Sequence, residues 1–372
     1  MGDLATTEPL DRGPERGIGD HPGIGPGTRF AVLTGGLLAD LHGKLAHGVL
    51  RFRGDAVVAV VDELHAGKTA DQVVPGVTRR VPIVGTLREA LASQPTALLL
   101  GTTPAGGQMP PEWRSTILEA IDSGLSIVAG MHTFLGDDHE IAARAQARGV
   151  AVVDLRRPPD ELELASGRVL DLVGKRVVLT VGSDAAIGKM STALAVDRSL
   201  TGLGVRSAFV ATGQTGIAIA GWGVAVDRVI GDFMPGVAEA LVLRAAAQAD
   251  WVIVEGQGSI AHPAYSPVAL ALLHGAAPTD LILCHDLRRT RVVNYERAKV
   301  PALDRLVRTY EDLSGYVRPA RVRAIALNTS GSTPDEAAEQ IALVSAALCL
   351  PTDDVVRGNG DGLATAILGV EP

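Results

Sequence analysis

Short, wholly apolar runs alternate along this chain with longer amphipathic stretches. In the first half the apolar runs are Phe30–Leu33, Val57–Val61, Ala97–Leu100, Ser126–Ala129 and Ala151–Val153. They are continuous rather than alternating, as expected of strands buried on both faces of a parallel sheet. Amphipathic segments at Asp40–Leu50, Leu87–Ser93, Glu112–Ser123 and Asp137–Ala147 predict helices between them. Strand–helix repetition at this short period predicts a doubly wound α/β domain. The pattern restarts with strands at Arg176–Val181, Ser207–Ala211, Trp251–Glu255, Leu281–His285 and Val322–Asn328. Helices are expected from the loop after Val181 to near Gly202, and at Val237–Ala247, Pro267–His274, Pro301–Leu313 and Pro334–Ala347. Proline is tolerated at such helix starts because its missing N–H would be unpaired there anyway.

Between the halves, Arg156-Arg157-Pro158-Pro159 and the charged stretch Asp160–Arg168 interrupt the pattern. The chain therefore divides into a tail at 1–27, a first domain at 28–155, a linker at 156–175 and a second domain at 176–372. The tail is rich in Gly, Pro and charge without an apolar stretch, so it is expected to be disordered and not a signal peptide. The 372 residues leave room for two cores, and 47% hydrophobic against 20% charged residues is a globular balance. A net charge of -8 without a basic block argues against nucleic acid or an anionic membrane surface as partner. No apolar run approaches the ~18 residues of a membrane span. Two cysteines, Cys284 and Cys349, exclude a disulfide scaffold or zinc cluster and fit a reducing cytoplasm.

Candidate chemistry sits where strands end. After the strand at Arg176–Val181 comes Gly182-Ser183-Asp184-Ala185-Ala186-Ile187-Gly188-Lys189-Met190-Ser191-Thr192. An apolar strand, a Gly-rich turn, a lysine and a helix make a P-loop, whose backbone N–H groups and lysine cradle an anion. It departs from the usual pattern in having Met190 where a hydroxyl holds Mg²⁺, and Ser183 for the first glycine. Phosphate binding is expected, whereas nucleotide hydrolysis is not implied. Thr212, Gly213, Gln214 and Thr215 follow the next strand and offer groups suited to a polar or anionic ligand. Glu255 ends an apolar strand as a Walker-B acid does, where it could reach a metal together with Asp184, or orient an amine. Gln257 and Ser259 follow, then His262, either a proton shuttle or an ordinary hydrogen-bond donor. His285, and Arg288 with Arg289 and Arg291, offer a grip on a carboxylate unless the arginines are merely a solvated face. Asn328 could read a base edge. Asp227 and Asp232 are either site acids or ordinary surface charges. The Gly-rich turns Thr34–Gly36 and Gly101–Gly107 either line a ligand crevice or only permit tight turns. The apolar run Ile217–Val226 is a candidate surface for homo-oligomer formation.

GSDAAIGKMST, ATGQTGIAIAGWGVAVDRVIGDF, EGQGSIAHPAYSPVALALLHG and CHD together resemble the DgcN family of D-glutamate N-acetyltransferases. The likeness extends to His65–Thr69 and Pro104–Arg114, and so to nearly all of the chain after residue 28. It implies an N-terminal Rossmann-like domain and a C-terminal P-loop NTPase-like domain with mainly parallel sheets. It also implies transfer of acetyl from acetyl-CoA to the amine of D-glutamate or a related acidic amino acid. The second half is more distantly similar to dethiobiotin synthetase, with Gly182, Asp184, Gly188, Lys189, Glu255 and Asn328 at matching motif positions. That likeness implies the alternative, an ATP- and Mg²⁺-dependent ligase or kinase. Under the acetyltransferase reading, the P-loop grips a phosphate of the donor and Glu255 or His262 is the base. Backbone N–H groups near Gly213–Gly216 or the P-loop polarise the thioester, and Arg288, Arg289 or Arg291 holds substrate carboxylate.

Overall fold

The computed structural model describes residues 17–102, 107 and 109–369. The first sheet is built from β1 (Phe30–Leu33), β2 (Val57–Val61), β3 (Ile83–Val84), β4 (Ala97–Leu100), β5 (Ser126–Ala129) and β6 (Val152–Asp154). Its order is β3-β2-β1-β4-β5-β6 with every pairing parallel. The helices around it are α1 (Lys44–Phe52), α2 (Ala70–Val73), α3 (Leu87–Leu91), α4 (Trp113–Asp122) and α5 (His139–Arg148). Apolar strands are placed inside because their side chains leave water on both faces: every residue of β1 and β4 is buried. Local signals set the helix ends. Thr86 accepts from Glu89 N at the start of α3, Asp138 accepts from Glu140 N and Ile141 N at α5, and Gly149 ends α5 at φ 65°.

The second sheet contains β7 (Arg176–Gly182), β8 (Ser207–Val210), β9 (Trp251–Val254), β10 (Asp280–Asp286), β13 (Arg321–Asn328) and β14 (Thr352–Asp353), in the order β14-β13-β10-β7-β9-β8 and again all parallel. Between β10 and β13 the chain adds an antiparallel ribbon, β11 (Arg291–Val292) with β12 (Tyr295–Lys299). The helices here are α6 (Lys189–Gly202), α7 (Gln214–Ala220), α8 (Met234–Ala246), α9 (Ser266–Ala276), α10 (Leu303–Ser314), α11 (Pro334–Leu348) and α12 (Asp361–Leu368). Strand β7, which feeds the P-loop, lies at the centre between β10 and β9.

The two sheets share one apolar cluster. It runs from Phe30, Leu45 and Val49 through Ile217 and Ile219 to Val178 and Ile253. Helix α1 lies on α7, and Gly48 is what permits it: a Cβ built there would sit 2.4 Å from Thr215 Cγ2 and 3.5 Å from Met190 Cε. The run expected as an oligomer surface is thus used inside the chain, with Ile217, Ala218, Val224, Ala225 and Val226 all buried.

Residues 17–27 also differ from a free tail; residues 1–16 lie outside the described residues. Asp20 bridges to Trp222 and pairs with Arg244, His21 Nε2 hydrogen-bonds Gly223 O at 2.9 Å, and Ile24 is buried. The stretch 156–175 is held along the second domain: Ser166 N and Val169 N donate to Glu239, and Arg318 donates to Val169 O. Among the described residues no helix is long and apolar enough to cross a membrane.

Candidate active site

The P-loop strand ends at Gly182, the loop reverses at Gly188 (φ 115°), and α6 begins at Lys189. Lys189 is buried and folds back onto the loop, its Nζ donating to Asp184 O at 2.8 Å. Burial lowers its pKa to about 8, against the opposing pull of nearby acids. Ile187 is buried, Ser191 is half-buried in the first turn of α6, and Thr192 is buried and accepts from Cys284 Sγ. Burial pushes the Cys284 thiol up to about 11, so it stays protonated and unreactive. Met190 faces Gly48 of the first domain. A thioether packed between domains therefore stands where a P-loop ATPase has its metal-binding hydroxyl.

Glu255 follows β9 and is buried beside the lysine. Its Oε2 accepts from Thr212 N at 2.9 Å and Gly213 N at 3.2 Å, while Thr212 Oγ1 donates to Glu255 O and accepts from Gln257 Nε2. Those two N–H groups are committed to the carboxylate and are not spare oxyanion donors. Burial raises the pKa of Glu255 to about 7; the N–H donors and Lys189 oppose the rise without cancelling it. Glycines make this packing possible. A Cβ at Gly216 would lie 2.3 Å from Glu255 Oε2, and one at Gly256 would lie 1.6 Å from Thr180 O.

His262 and Asp184 are occupied with the β11–β12 ribbon. Nδ1 of His262 accepts from Ala264 N and Tyr265 N, Nε2 lies 3.0 Å from Val293 O, and the ring stacks on Tyr265 at 4.3 Å. An Nδ1 that accepts leaves the proton on Nε2, so this buried imidazole has no free lone pair for a substrate. Asp184 Oδ2 accepts from Val293 N at 2.8 Å, with Arg289 Nε at 3.5 Å, and Oδ1 accepts from Ala185 N. Both residues thus clamp the backbone of Val293. The proposed Mg²⁺ pair of Asp184 and Glu255 does not fit a metal. Three of their four carboxylate oxygens already accept N–H bonds, an arginine neighbours Asp184, and the hydroxyl is missing at Met190.

Further along the sheet edge, Ser183 Oγ hydrogen-bonds His285 Nδ1 at 2.8 Å. Arg288 forks Asp286 (3.1 and 2.8 Å) with its side chain 62% exposed, so it is spoken for within its own loop. Asn328 Oδ1 accepts from Ser330 N, and its Nδ2 lies 3.5 Å from both Ile187 O and Asp286 Oδ2. Ser259 is buried and accepts from Ala261 N, and Asp232 is exposed. Gln214 Oε1 accepts from Arg156 of the first domain at 3.0 Å. In the first Gly-rich turn of the N-terminal domain, Thr34 Oγ1 donates to Asp62 at 2.6 Å; residues 103–106 and 108 of the second turn lie outside the described residues.

Two residues at this site carry no local sequence signal. Tyr310 in α10 is buried, donates to Gly182 O at 2.8 Å and accepts from Ile260 N at 3.2 Å, tying the P-loop strand to the Glu255 loop. Its position in an ordinary amphipathic helix conceals this. Arg156 belongs to the segment expected to be a linker.

Fold and site together define a two-domain α/β protein with a P-loop beside a buried carboxylate. The chain belongs to the DUF1611 family: residues 163–364 match its C-terminal P-loop domain and residues 63–158 its N-terminal Rossmann-like domain, both described as domains of unknown function. It is 34% identical over 344 residues to a D-glutamate N-acetyltransferase of Tritonibacter scottomollicae, covering 92% of this chain and 99% of that protein. It is 35% identical over 266 residues to a D-glutamate N-acetyltransferase of a Pseudoalteromonas species, covering 71% of this chain and 79% of that protein. The crystal structure of a DUF1611 family protein from Anabaena variabilis superposes with a TM-score of 0.86 at 37% identity, over 92% of this chain and 99% of that one.

Proposed function

We propose that this protein transfers acetyl from acetyl-CoA to the amino group of D-glutamate or a closely related acidic amino acid, with Glu255 as general base. The observation that carries the reading is a buried carboxylate with its pKa raised to about 7, set beside a P-loop that has a thioether at the metal position. The relatives named D-glutamate N-acetyltransferase support the same class of reaction.

The amine must lose a proton as it attacks the thioester carbonyl. A carboxylate poised near neutral pH takes that proton efficiently, because its proton affinity matches the working range. The new C–N bond forms, the C–S bond breaks, and the thiolate leaves to be protonated as free CoA. The P-loop backbone and Lys189 hold a phosphate of the donor. This task needs no Mg²⁺ and no phosphoryl transfer, which makes the loss of the hydroxyl at Met190 harmless. His262 has a positioning role in this reading, through the Val293 ribbon. Thr212, Gly213 and Gln257 orient the base. The unpaired cysteines fit the reducing cytoplasm.

The P-loop shape itself favours the second reading, an ATP-dependent ligase or kinase. A thiol-release assay separates the two: acetyl-CoA with a panel of D- and L-amino acids, with and without Mg·ATP. The acetyltransferase releases CoA thiol only with an acidic amino acid and without ATP; nucleotide cleavage without thiol release would establish the ligase instead. Lys189→Ala is expected to weaken acetyl-CoA binding at least tenfold, measured by calorimetry, and unchanged affinity would move the donor site elsewhere.

A further inference from the structure

We infer that the junction of the two domains carries the carboxylate-recognition part of the substrate site, with Arg156 and Arg228 as its cationic wall and the neutral imidazole of His132 beside them. The inference rests on the acetyltransferase reading of Glu255. Arg156 follows β6 and its side chain is only 7% exposed. Its Nη1 donates to Gln214 Oε1 and its Nη2 to Asp227 Oδ2 at 2.8 Å, yet its Nε is buried with no hydrogen-bond partner among the described residues. A buried guanidinium N–H is costly to leave unpaired, and a bound anion is the natural acceptor.

The surroundings agree. Thr102, past the end of β4, also has a buried hydroxyl without a partner among the described residues. Extending the pairings Leu100↔Ala129 and Ala129↔Asp154 by two residues puts Thr102, Met131 and Arg156 in one row at the C-terminal edge of the first sheet. Ligands bind in α/β sheets at this edge. His132 is next in line, and burial and then the positive charges of Arg156 and Arg228 lower its pKa. Nearby Arg157 is neutralised by Asp137 and Asp154, whereas Arg228 makes no ion pair among the described residues and lies over the Phe134 ring at 5.5 Å. The junction therefore has cationic capacity left over.

The place is right for a dicarboxylic amino acid. Gln214, which meets Arg156, directly follows Gly213, whose N–H holds Glu255. Arg156 and the base are then separated by on the order of 10 Å, given the reach of one residue plus a glutamine side chain. A five-carbon amino acid, extended and hydrogen-bonded at both ends, spans about that length. Its amine would meet Glu255 while its distal carboxylate meets the arginines.

The test compares D-glutamate with D-glutamine, which lacks only the distal charge. In wild type and in Arg228→Gln, D-glutamate binding is measured by calorimetry and acetyl transfer by thiol release. Arg228 is exposed, so this variant should fold, and its melting temperature checks that. We expect Arg228→Gln to raise the Kd and KM for D-glutamate at least tenfold and to collapse the preference over D-glutamine. Arg156→Lys, which keeps the charge but loses the fork, should do the same. Equal losses with both amino acids, or an unchanged preference in both variants, would overturn the inference. The calorimetry keeps the two readings separable: if wild type binds D-glutamate and Arg228→Gln does not, yet no thiol is released, the site stands and the acetyl chemistry falls.

Discussion

Glu255 and Lys189 are single residues whose chemistry is set by burial. Glu255→Gln preserves shape and should lower kcat by roughly 10²–10⁴, the usual worth of a positioned general base. Wild-type kcat/KM should rise with pH through about 7 as Glu255 ionises and fall through about 8 as Lys189 loses its proton. These two limbs belong to the neighbouring pair rather than to either group alone. In Glu255→Gln the rising limb should disappear; a limb that persists would assign the base elsewhere. The same group has a stability signature. A carboxyl whose pKa is raised from 4.5 to about 7 binds its proton more tightly folded than unfolded, so its contribution is full below 4.5 and is lost as pH rises to about 7. Stability measured by urea titration should therefore shift in favour of Glu255→Gln relative to wild type across that window, and the difference should be flat above it. At this scale Glu255 was legible in the sequence, because an acid ending four apolar strand residues is conspicuous. Its environment was not, because the groups that hold it, Thr212 and Gly213, are 43 and 42 residues away.

Among elements, strands were readable and small irregular pieces were not. β1, β2, β4 and β5 lie where their apolar runs place them, since continuous burial requires continuous hydrophobicity. Helix α7 reads QTGIAIA, and its internal glycine resembles a loop signal. The structure makes it a helix because it packs on α1 and into the shared cluster, which overrides propensity. The ribbon β11–β12 is mostly exposed and charged, so it has no apolar pattern to detect. The contact of α1 with α7 gives a sharp prediction. Gly48→Ala places a methyl 2.4 Å from Thr215 Cγ2, so the Thr215 side chain or the helices must shift. Equilibrium denaturation should show a loss of about 1–3 kcal/mol, the usual cost of overpacking. Acetyl transfer should fall as well, because α7 begins at Gln214. A neutral Gly48→Ala would mean that Thr215 yields without strain and that close packing at Gly48 does not hold the helices together.

For the whole molecule, the decisive fact is that two sheets with separate hydrogen-bonding share one apolar cluster. Domains joined through such a core lose it together. Calorimetry should show a single unfolding transition, and a 176–372 fragment should expose the α7 face and aggregate. Two well-separated transitions would show the halves to be independent. The junction also explains Met190, whose side chain faces the other domain, and Arg156, which crosses from one domain to the other.

The two-sheet α/β plan, the P-loop and the acid at Glu255 can be read from the amino-acid order alone, because periodicity and strand-end motifs are local properties. What those groups face is set by the three-dimensional packing. That packing gives Asp184 and His262 to the Val293 ribbon, Arg288 to Asp286, and the Ile217–Val226 run to the domain junction. It also turns Arg156 from a linker residue into a buried cation at that junction. Hydrogen-bond partners and burial depend on chain segments far apart in sequence, and no local pattern records which of them will meet.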